Sequence, residues 1–389
     1  MTAERHLVMI PGPTNVDPAV LRALAKPTTS HVSAPFAATF KRAIENLKEV
    51  MRTSGDVFVV SGSGTLAMEM AVSNVVEPGD RILVVSNGYF GDGFVEVVSR
   101  FTENVEKLSF EWGKAAEPTK IKEKLAREGC KAVIVVHVDT STGVANDVRE
   151  IARVVKDRGA LFILDTVCSL GGMEIRVDEW GIDVCLSGSQ KALAVPPGLA
   201  LLSASKEALD CRAKRKTKVS SYYMDFENWL PVMRDPSRYF ATPPVNMIYA
   251  LAESLDMILD EGLEKRCARH AIIAKAVRSA LNKIGLRIVA EENRRADTMT
   301  AAYYPSGIDD EAFRGNMVAK HGVIVAGGLG QLRGKIFRMG HMGNVSPNDL
   351  FATIGAVEAS LAHLGHSFPL GAGVAAATES LESAFRGVG

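Results

Sequence analysis

Residues 55–203 alternate short runs of β-branched and apolar residues with stretches of helical periodicity. The apolar runs lie at 57–60, 81–85, 105–108, 132–138, 161–164, 184–186 and 199–202. Helical patterns such as 117–127 and 148–157 lie between most of them. This alternation is typical of βαβ units, whose parallel strands are covered on both faces. We therefore predict an α/β fold with a mostly parallel seven-stranded sheet.

The remaining sequence predicts a second, smaller domain. Residues 206–239 are charged and aromatic without this alternation, which favours surface structure or an interface excursion. A helical pattern at 245–262 marks the expected domain change. Beyond it, strands are predicted at 287–290, 300–304 and 335–339, and a last helix at 378–385. The expected parts are an N-terminal arm at 1–14, a large domain at 15–262 and a small C-terminal α+β domain at 263–389.

Composition excludes several classes of protein. A length of 389 residues exceeds what one core usually supports, and 45 basic residues balance 45 acidic ones, which favours neither nucleic acid nor a membrane surface. The five cysteines are scattered without a C-x-x-C pair, so we predict no disulfide framework, no metal site and a reducing, cytoplasmic location. The apolar run at 7–10 is too short for a signal peptide or a membrane span.

A candidate phosphate site follows the first predicted strand. The chain reads Ser61-Gly62-Ser63-Gly64-Thr65 before a helical pattern, and small residues at a helix N-terminus let backbone amides approach an anion. A capped turn is the plainer interpretation. The segment also satisfies the dinucleotide fingerprint G-x-G-x-x-A. An NAD site further needs an acid at the end of the next strand, where the chain reads Val85-Ser86-Asn87-Gly88.

Two ionisable residues stand near the ends of later predicted strands. Asp165 follows the run at 161–164, and Lys191 comes five residues after the run at 184–186. A capping aspartate and a solvated lysine are the plainer interpretations. Together, however, a buried amine that condenses with an aldehyde and a carboxylate that keeps a pyridine nitrogen protonated form a pyridoxal-phosphate site.

With these residues in view, the sequence resembles the class V, fold type I aminotransferases, within them the alanine–glyoxylate and serine–pyruvate group. The block Ser187-Gly188-Ser189-Gln190-Lys191-Ala192 with Pro196-Pro197-Gly198 carries the resemblance most specifically. It extends from Pro11-Gly12-Pro13-Thr14 to Phe337-Arg338-Met339-Gly340-His341. The resemblance implies a fold type I architecture and pyridoxal 5'-phosphate as the cofactor.

The resemblance also implies a role for each matching residue. The implied phosphate contacts are Ser63, Gly64, Thr65 and Gln190, joined by Tyr239 and Thr242 of a neighbouring subunit. The implied ring contacts are Phe90 and Val167 on the two faces, Thr140 at the edge, Asp165 at the pyridine nitrogen and Lys191 as the Schiff-base lysine. Arg338 is implied to bind the substrate α-carboxylate, and Gly12 to line the other side of the substrate.

The implied activity is a ping-pong transamination in a homodimer with shared active sites. A small amino acid, alanine or serine, would give its amino group to glyoxylate or pyruvate. Ureidoglycine or pyridoxamine transamination, a lyase or desulfurase reaction, and an NAD-dependent dehydrogenase remain alternatives. Desulfurases need a reactive cysteine on a small-domain loop and histidine before the lysine, whereas this chain has Gln190 there and Cys267 in a helical stretch. A DNA-binding regulator on this fold would need an additional basic domain.

Overall fold

A computed structural model describes residues 6–386, without the side chain of residue 385. The first five residues of the predicted arm and the last three of the predicted small domain lie outside the described residues. The strands are β1 Leu7–Val8, β2 Asp56–Ser61, β3 Ile82–Ser86, β4 Val105–Ser109, β5 Ala132–Val136, β6 Val138–Asp139, β7 Val144–Ala145, β8 Leu161–Asp165, β9 Val184–Gly188, β10 Leu199–Ala204, β11 Met299–Tyr303, β12 Val323–Ile324, β13 Ala326–Gly327 and β14 Ile336–Gly340.

The predicted seven-stranded sheet is confirmed. Its strand order is β2-β10-β9-β8-β5-β3-β4, and β10 runs antiparallel to both of its neighbours while the other pairs are parallel. Every residue of β3, β5, β9 and β10 is buried, because helices cover both faces of the sheet. This burial explains why the strands read as continuous apolar runs.

Helices follow most strands of the sheet and pack on its faces. They are α1 Pro18–Leu24, α2 Ala34–Met51, α3 Gly64–Val75, α4 Tyr89–Val98, α5 Pro118–Arg127, α6 Val148–Lys156, α7 Lys206–Ala213, α8 Phe226–Arg234, α9 Val245–Glu261, α10 Leu263–Lys283, α11 Asp310–His321, α12 Pro347–His363 and α13 Ala372–Arg386. Several begin at a side-chain cap: the Asp147 carboxylate accepts from Glu150 N at 3.2 Å at α6, and Ser346 with Asp349 forms a capping box at α12.

Two local predictions need correction, at 287–290 and at the last helix. The segment 206–239, expected as surface structure or an interface excursion, contains α7 and α8, the latter capped by Asp225 and anchored by the buried Trp229. No strand forms at 287–290, where Ile288 makes only an isolated bridge to Ala302 before Glu291 N turns to donate to the Gly113 carbonyl. The last helix begins at Ala372 rather than at 378.

The buried apolar side chains form one large cluster that ends in the chain with α9 and two smaller clusters mainly after it. One large cluster combines the seven-stranded sheet with α2, α3, α8 and α9. Two smaller clusters lie mainly in the C-terminal part, and Met9 of the N-terminal segment packs in one of them. Gly262, with φ of 84°, joins α9 directly to α10. The division into domains at residues 14 and 262 stays a prediction.

Candidate active site

A cavity at the carboxyl ends of the parallel strands brings most of the predicted residues together. Its lining comprises Ser63, Gly64, Thr65, Met68, Phe90, Val136, Val138, Thr140, Asp165, Val167, Cys168, Gln190 and Lys191. Carboxyl strand ends are where open α/β sheets bind ligands. The cavity therefore includes all the residues predicted to contact a cofactor within one subunit.

One end of the cavity suits an anion. Ser63 stands at the N-cap of α3, yet its side chain makes no capping hydrogen bond and is left for a ligand. A Cβ atom on Gly64 would lie 3.0 Å from Val167 Cγ2, so a larger residue there would crowd the cavity wall. Gln190 Oε1 is buried without a hydrogen-bond partner among the described residues. Free amides at the N-terminus of α3, this hydroxyl and the NH₂ group of the Gln190 side chain can donate to a phosphate, whereas Gln190 Oε1 can only accept.

Asp165 ends β8 and presents a buried carboxyl group to the cavity. Its Oδ1 accepts a hydrogen bond from Val167 N at 2.7 Å. Burial raises the pKa of Asp165 to about 7, and the nearby Asp139 adds to this, whereas Val167 N and Lys191 oppose it. A carboxylate held in such surroundings gains from a cationic partner, and a protonated pyridine nitrogen is one.

Lys191 lies in the loop after β9, buried against the N-terminal segment. Thr14 Oγ1 donates to the Lys191 carbonyl at 2.9 Å, and Thr14 N donates to the Gln190 carbonyl at 3.2 Å. The Lys191 amine donates to the Pro11 carbonyl. Burial lowers the pKa of Lys191, with Arg338 acting in the same direction. A larger share of neutral amine makes Lys191 a better nucleophile and base than an exposed lysine.

Gly12 permits this close approach of the N-terminal segment. Its φ of 103° lies in a region that L side chains rarely adopt, and a Cβ atom there would lie 2.4 Å from Lys191 Cδ. Only glycine satisfies both conditions. The predicted neighbour of the substrate thus contacts the predicted Schiff-base lysine.

Phe90 is held by an aspartate that the sequence analysis missed. Asp139 ends β6 fully buried, and its Oδ2 accepts from Phe90 N at 3.0 Å and Gly91 N at 3.2 Å. Its Oδ1 accepts from Ser141 N at 2.9 Å and Ser141 Oγ at 2.6 Å. Burial raises the pKa of Asp139 and these bonds oppose the rise; since all four groups donate, the ionised form fits them best. An acid directly after the apolar run at 132–138 was the available sequence clue.

Arg338 lies in the middle of β14 with its guanidinium beside the cavity. Nε donates to the Gly327 carbonyl at 2.7 Å, and Nη1 donates to the carbonyl of Thr140, a cavity residue, at 3.0 Å. Burial lowers the pKa of Arg338, although an arginine stays charged under ordinary conditions. Two backbone carbonyls therefore fix the direction of a buried positive charge.

Tyr239 and Thr242 lie outside this cavity. Tyr239 is 62% exposed, and its ring lies 5.1 Å from the ring of His31. Thr242 is also exposed. These two predicted phosphate contacts are therefore not brought to the cavity of their own chain.

Cysteines and metal-ligating residues give no alternative centre. Cys267 lines a different cavity, together with Arg52 and Glu264, and burial raises the pKa of its thiol to about 11. Cys168 lines the active-site cavity, but burial raises the pKa of this thiol as well.

Among residues 6–386, no group of three or more His, Cys, Asp or Glu side chains is arranged to hold a metal ion. In the same range no helix has the length and apolar character to cross a membrane.

Comparison with known proteins identifies the family. The family model for class V aminotransferases matches residues 11–335. An uncharacterized aminotransferase of Methanocaldococcus jannaschii is 44% identical over 364 residues, covering 93% of this chain and 94% of the relative. The serine–glyoxylate aminotransferase of Arabidopsis thaliana is 34% identical over 385 residues, covering 97% and 96%. The solved structure of ureidoglycine–glyoxylate aminotransferase from Bacillus subtilis matches with a TM-score of 0.93 and 31% identity, covering 98% and 99%.

The cavity fits the cofactor of this family, pyridoxal 5'-phosphate. It combines an open helix N-terminus and a Ser63 hydroxyl that makes no capping hydrogen bond with a buried carboxylate and a buried amine of lowered pKa. These are the groups that a phosphate, a pyridine nitrogen and an aldehyde require. The family match does not support the NAD-dependent dehydrogenase alternative. The chain belongs to the class V aminotransferase family and is a pyridoxal-phosphate-dependent aminotransferase of fold type I.

Proposed function

We propose that this aminotransferase moves the amino group of a small amino acid, alanine or serine, to glyoxylate or pyruvate by a ping-pong mechanism. The observation that carries the proposal is that Lys191 and Asp165 line one cavity and that Arg338 donates to the carbonyl of Thr140, which lines the same cavity. The Arabidopsis relative is a serine–glyoxylate aminotransferase, which supports this substrate class.

We assign the cofactor to the residues of this cavity. When bound, pyridoxal phosphate supplies an aldehyde for the amino group and a ring that accepts electrons. Ser63, Gly64, Thr65 and Gln190 would hold the phosphate. Phe90 and Val167 would cover the two ring faces, Thr140 would contact the edge, and the Asp165 carboxylate would hold the proton on the ring nitrogen.

Lys191 would have two roles. Its Nζ would hold the cofactor between turnovers, and once released by the substrate it would take the proton from the substrate Cα. Burial supports the second role, because a lowered pKa increases the fraction of neutral amine at neutral pH. The contact of the amine with the Pro11 carbonyl keeps the lysine close to the cavity.

Arg338 would bind the substrate α-carboxylate. Its guanidinium is oriented by the carbonyls of Gly327 and Thr140, and an oriented planar group suits bidentate hydrogen bonding to a carboxylate. Gly12 would line the opposite side of the substrate through its backbone, next to Lys191. Together they would hold the Cα–H bond near the Lys191 amine.

A donor panel tests the substrate assignment. Alanine, serine, ureidoglycine and pyridoxamine are offered as amino donors with glyoxylate or pyruvate, and product formation is measured. We expect alanine or serine with glyoxylate or pyruvate to give the highest kcat/KM. Pyridoxamine has no carboxylate, so Arg338→Lys should leave its KM unchanged while raising the KM of the oxo acid that accepts the amino group. A clear preference for pyridoxamine or ureidoglycine would contradict the proposal.

The proposed partner is a second copy of the chain, which would complete each phosphate site with its Tyr239 and Thr242. Their exposure outside their own cavity supports this assignment. A chain with Lys191→Ala still offers both hydroxyls, and a chain with Tyr239→Ala and Thr242→Ala still offers the lysine. A doubly tagged hybrid dimer should therefore regain substantial activity over both mutant homodimers. A hybrid no more active than the homodimers would refute the shared site.

The cytoplasmic location, expected from the scattered cysteines, stays a prediction.

A further inference from the structure

One turn of α10 contacts three loops: the loop that carries Lys191, the loop that follows Asp165, and the loop that follows the strand of Arg338. Arg266 is buried, and its Nε donates to the Gly171 carbonyl at 2.7 Å while Nη2 donates to the Ala192 carbonyl at 2.8 Å. Gly171 belongs to the loop that follows Asp165, and Ala192 is the residue after Lys191. A single guanidinium thus joins the Asp165 loop to the Lys191 loop.

His270, one turn later, contacts the third loop. Its Nδ1 donates to the Arg266 carbonyl at 2.7 Å, and its Nε2 accepts from Gly343 N at 2.9 Å. Burial lowers the pKa of His270 to about 3, so the ring is neutral and this donor–acceptor pattern is fixed. Gly343 follows β14, the strand that carries Arg338. Arg269 supports the same loop, since its Nη2 donates to the Gly343 carbonyl at 3.0 Å.

The three loops also pack directly against one another. A Cβ atom on Gly172 would lie 3.0 Å from Ala192 Cβ and 3.2 Å from His270 Cδ2. A Cβ atom on Gly343 would lie 3.2 Å from Ala194 Cβ. The loops therefore have little space in which to shift independently, and the hydrogen bonds of Arg266 and His270 determine their relative position.

Burying the charged guanidinium of Arg266 costs desolvation free energy. Its charge needs compensation, which Glu261 provides through a 2.7 Å ion pair with Nη1. The planar guanidinium donates in three fixed directions at once, to Gly171, Ala192 and Glu261. A lysine could not reproduce this fork, because its ammonium is a single point at the end of a flexible chain.

We propose that Arg266 and His270 are positioning residues for transamination. Arg266 sets the Lys191 loop against the Asp165 loop, and His270 sets the loop behind Arg338. Neither residue lines the active-site cavity, so both act through backbone groups of other residues. The inference deepens the proposed function and rests on its assignment of Lys191, Asp165 and Arg338.

The two residues should give different defects in the holoenzyme. Arg266→Lys should shift the pKa observed when the visible absorbance of the bound cofactor is titrated, and lower kcat by about ten- to hundredfold, since small misplacements have effects of this size. His270→Leu should raise KM for the amino acid and the oxo acid by about tenfold and leave that spectroscopic pKa unchanged. His270→Gln should recover much of the loss, because its amide oxygen can accept from Gly343 N.

Arg278→Lys is the matched control. Arg278 lies in the same helix and is largely buried, but its partners are the Ala296 carbonyl at 2.8 Å and the Asp297 carboxylate at 3.6 Å rather than Gly171, Ala192 or Gly343. The control should lose stability on thermal unfolding without changing the spectroscopic pKa or KM. If Arg266→Lys and Arg278→Lys lose similar stability and both retain the wild-type spectrum and kcat, Arg266 is only structural and the proposal is wrong.

Two further measurements keep the outcome decisive. If Arg266→Lys does not fold, Glu261→Gln removes the ion pair and keeps the guanidinium; it should shift the spectroscopic pKa in the same direction by less, and an unchanged value would overturn the proposal. The titration needs no substrate. If no small amino acid reacts with wild-type enzyme while Arg266→Lys still shifts the spectrum, the substrate assignment fails and the positioning role of Arg266 stands.

Discussion

Replacing Asp139 by asparagine should destabilise the protein and loosen the cofactor. The Asp139 carboxylate accepts four hydrogen bonds, from the backbone of Phe90, Gly91 and Ser141 and from the Ser141 hydroxyl. Asparagine offers one acceptor oxygen, so its NH₂ group must face donors on one side. If it turns toward Ser141, the hydroxyl can rotate to accept, but Ser141 N stays unpaired.

The magnitude follows from these contacts. An unpaired buried donor costs about 1–3 kcal/mol, and the remaining bonds change from charge-assisted to neutral, which together gives a loss of about 2–4 kcal/mol. Phe90 would also lose its fixed backbone. Because aromatic stacking contributes about 0.5–1.5 kcal/mol, we expect the cofactor dissociation constant to rise by about fivefold.

Urea unfolding of the cofactor-free protein, followed by circular dichroism, measures the first effect, and titration of cofactor absorbance measures the second. Asp309→Asn is the matched control, because Asp309 caps α11 on the surface, where its Oδ1 accepts from Ala312 N at 2.8 Å. Asparagine caps helices as well as aspartate does, so this change should stay within about 0.5 kcal/mol. If Asp139→Asn is as stable as Asp309→Asn and binds the cofactor like wild type, the proposed role of Asp139 is wrong.

Three further predictions concern charged and titrating groups. Arg338→Lys should raise KM for both the amino acid and the oxo acid by about tenfold or more while cofactor affinity stays unchanged, because the charge remains but the fork is lost; an unchanged KM for both would contradict the carboxylate assignment. Asp165→Asn should bind the cofactor but lose most turnover, since a neutral amide cannot hold the ring nitrogen protonated. Wild-type turnover in this variant would show that Asp165 has only a structural capping role. Burial lowers the pKa of His137 to about 4 and that of His270 to about 3, below the ordinary value, so the folded state binds fewer protons than the unfolded state between pH 6.5 and these values. The free energy of unfolding therefore includes the full contribution of the neutral histidines above pH 6.5 and decreases as the pH falls below it. His270→Gln should make this decrease shallower by about 1.4 kcal/mol per pH unit. An unchanged slope in urea unfolding would contradict a neutral His270.

The sheet and the cavity residues on it could be predicted because short stretches of neighbouring residues in the sequence determine them. Strands buried on both faces must be apolar, and ligands bind where such strands end. Asp165 and Lys191 therefore stand out beside apolar runs. Asp139 has the same local pattern and was missed, since its partners Phe90 and Gly91 lie 49 and 48 positions earlier in the chain.

Nothing near Arg266 or His270 in the sequence indicates their positioning role, because their partners are distant in the chain. Arg266 lies 95 positions from Gly171 and 74 from Ala192, and His270 lies 73 positions from Gly343. In the sequence they belong to a charged helical stretch that resembles an ordinary solvated face. The helix α8 was not predicted because it contains Pro231 and is short, with Phe226, Trp229, Val232 and Met233 as its buried residues.

Reduction with borohydride followed by peptide mapping tests the assignment of Lys191 most directly. The holoenzyme is treated with borohydride, digested, and searched for the peptide that carries the reduced cofactor. Labelling at Lys191, and its loss in Lys191→Ala, is the result that the account predicts. A label on any other lysine of the wild-type enzyme would contradict the account.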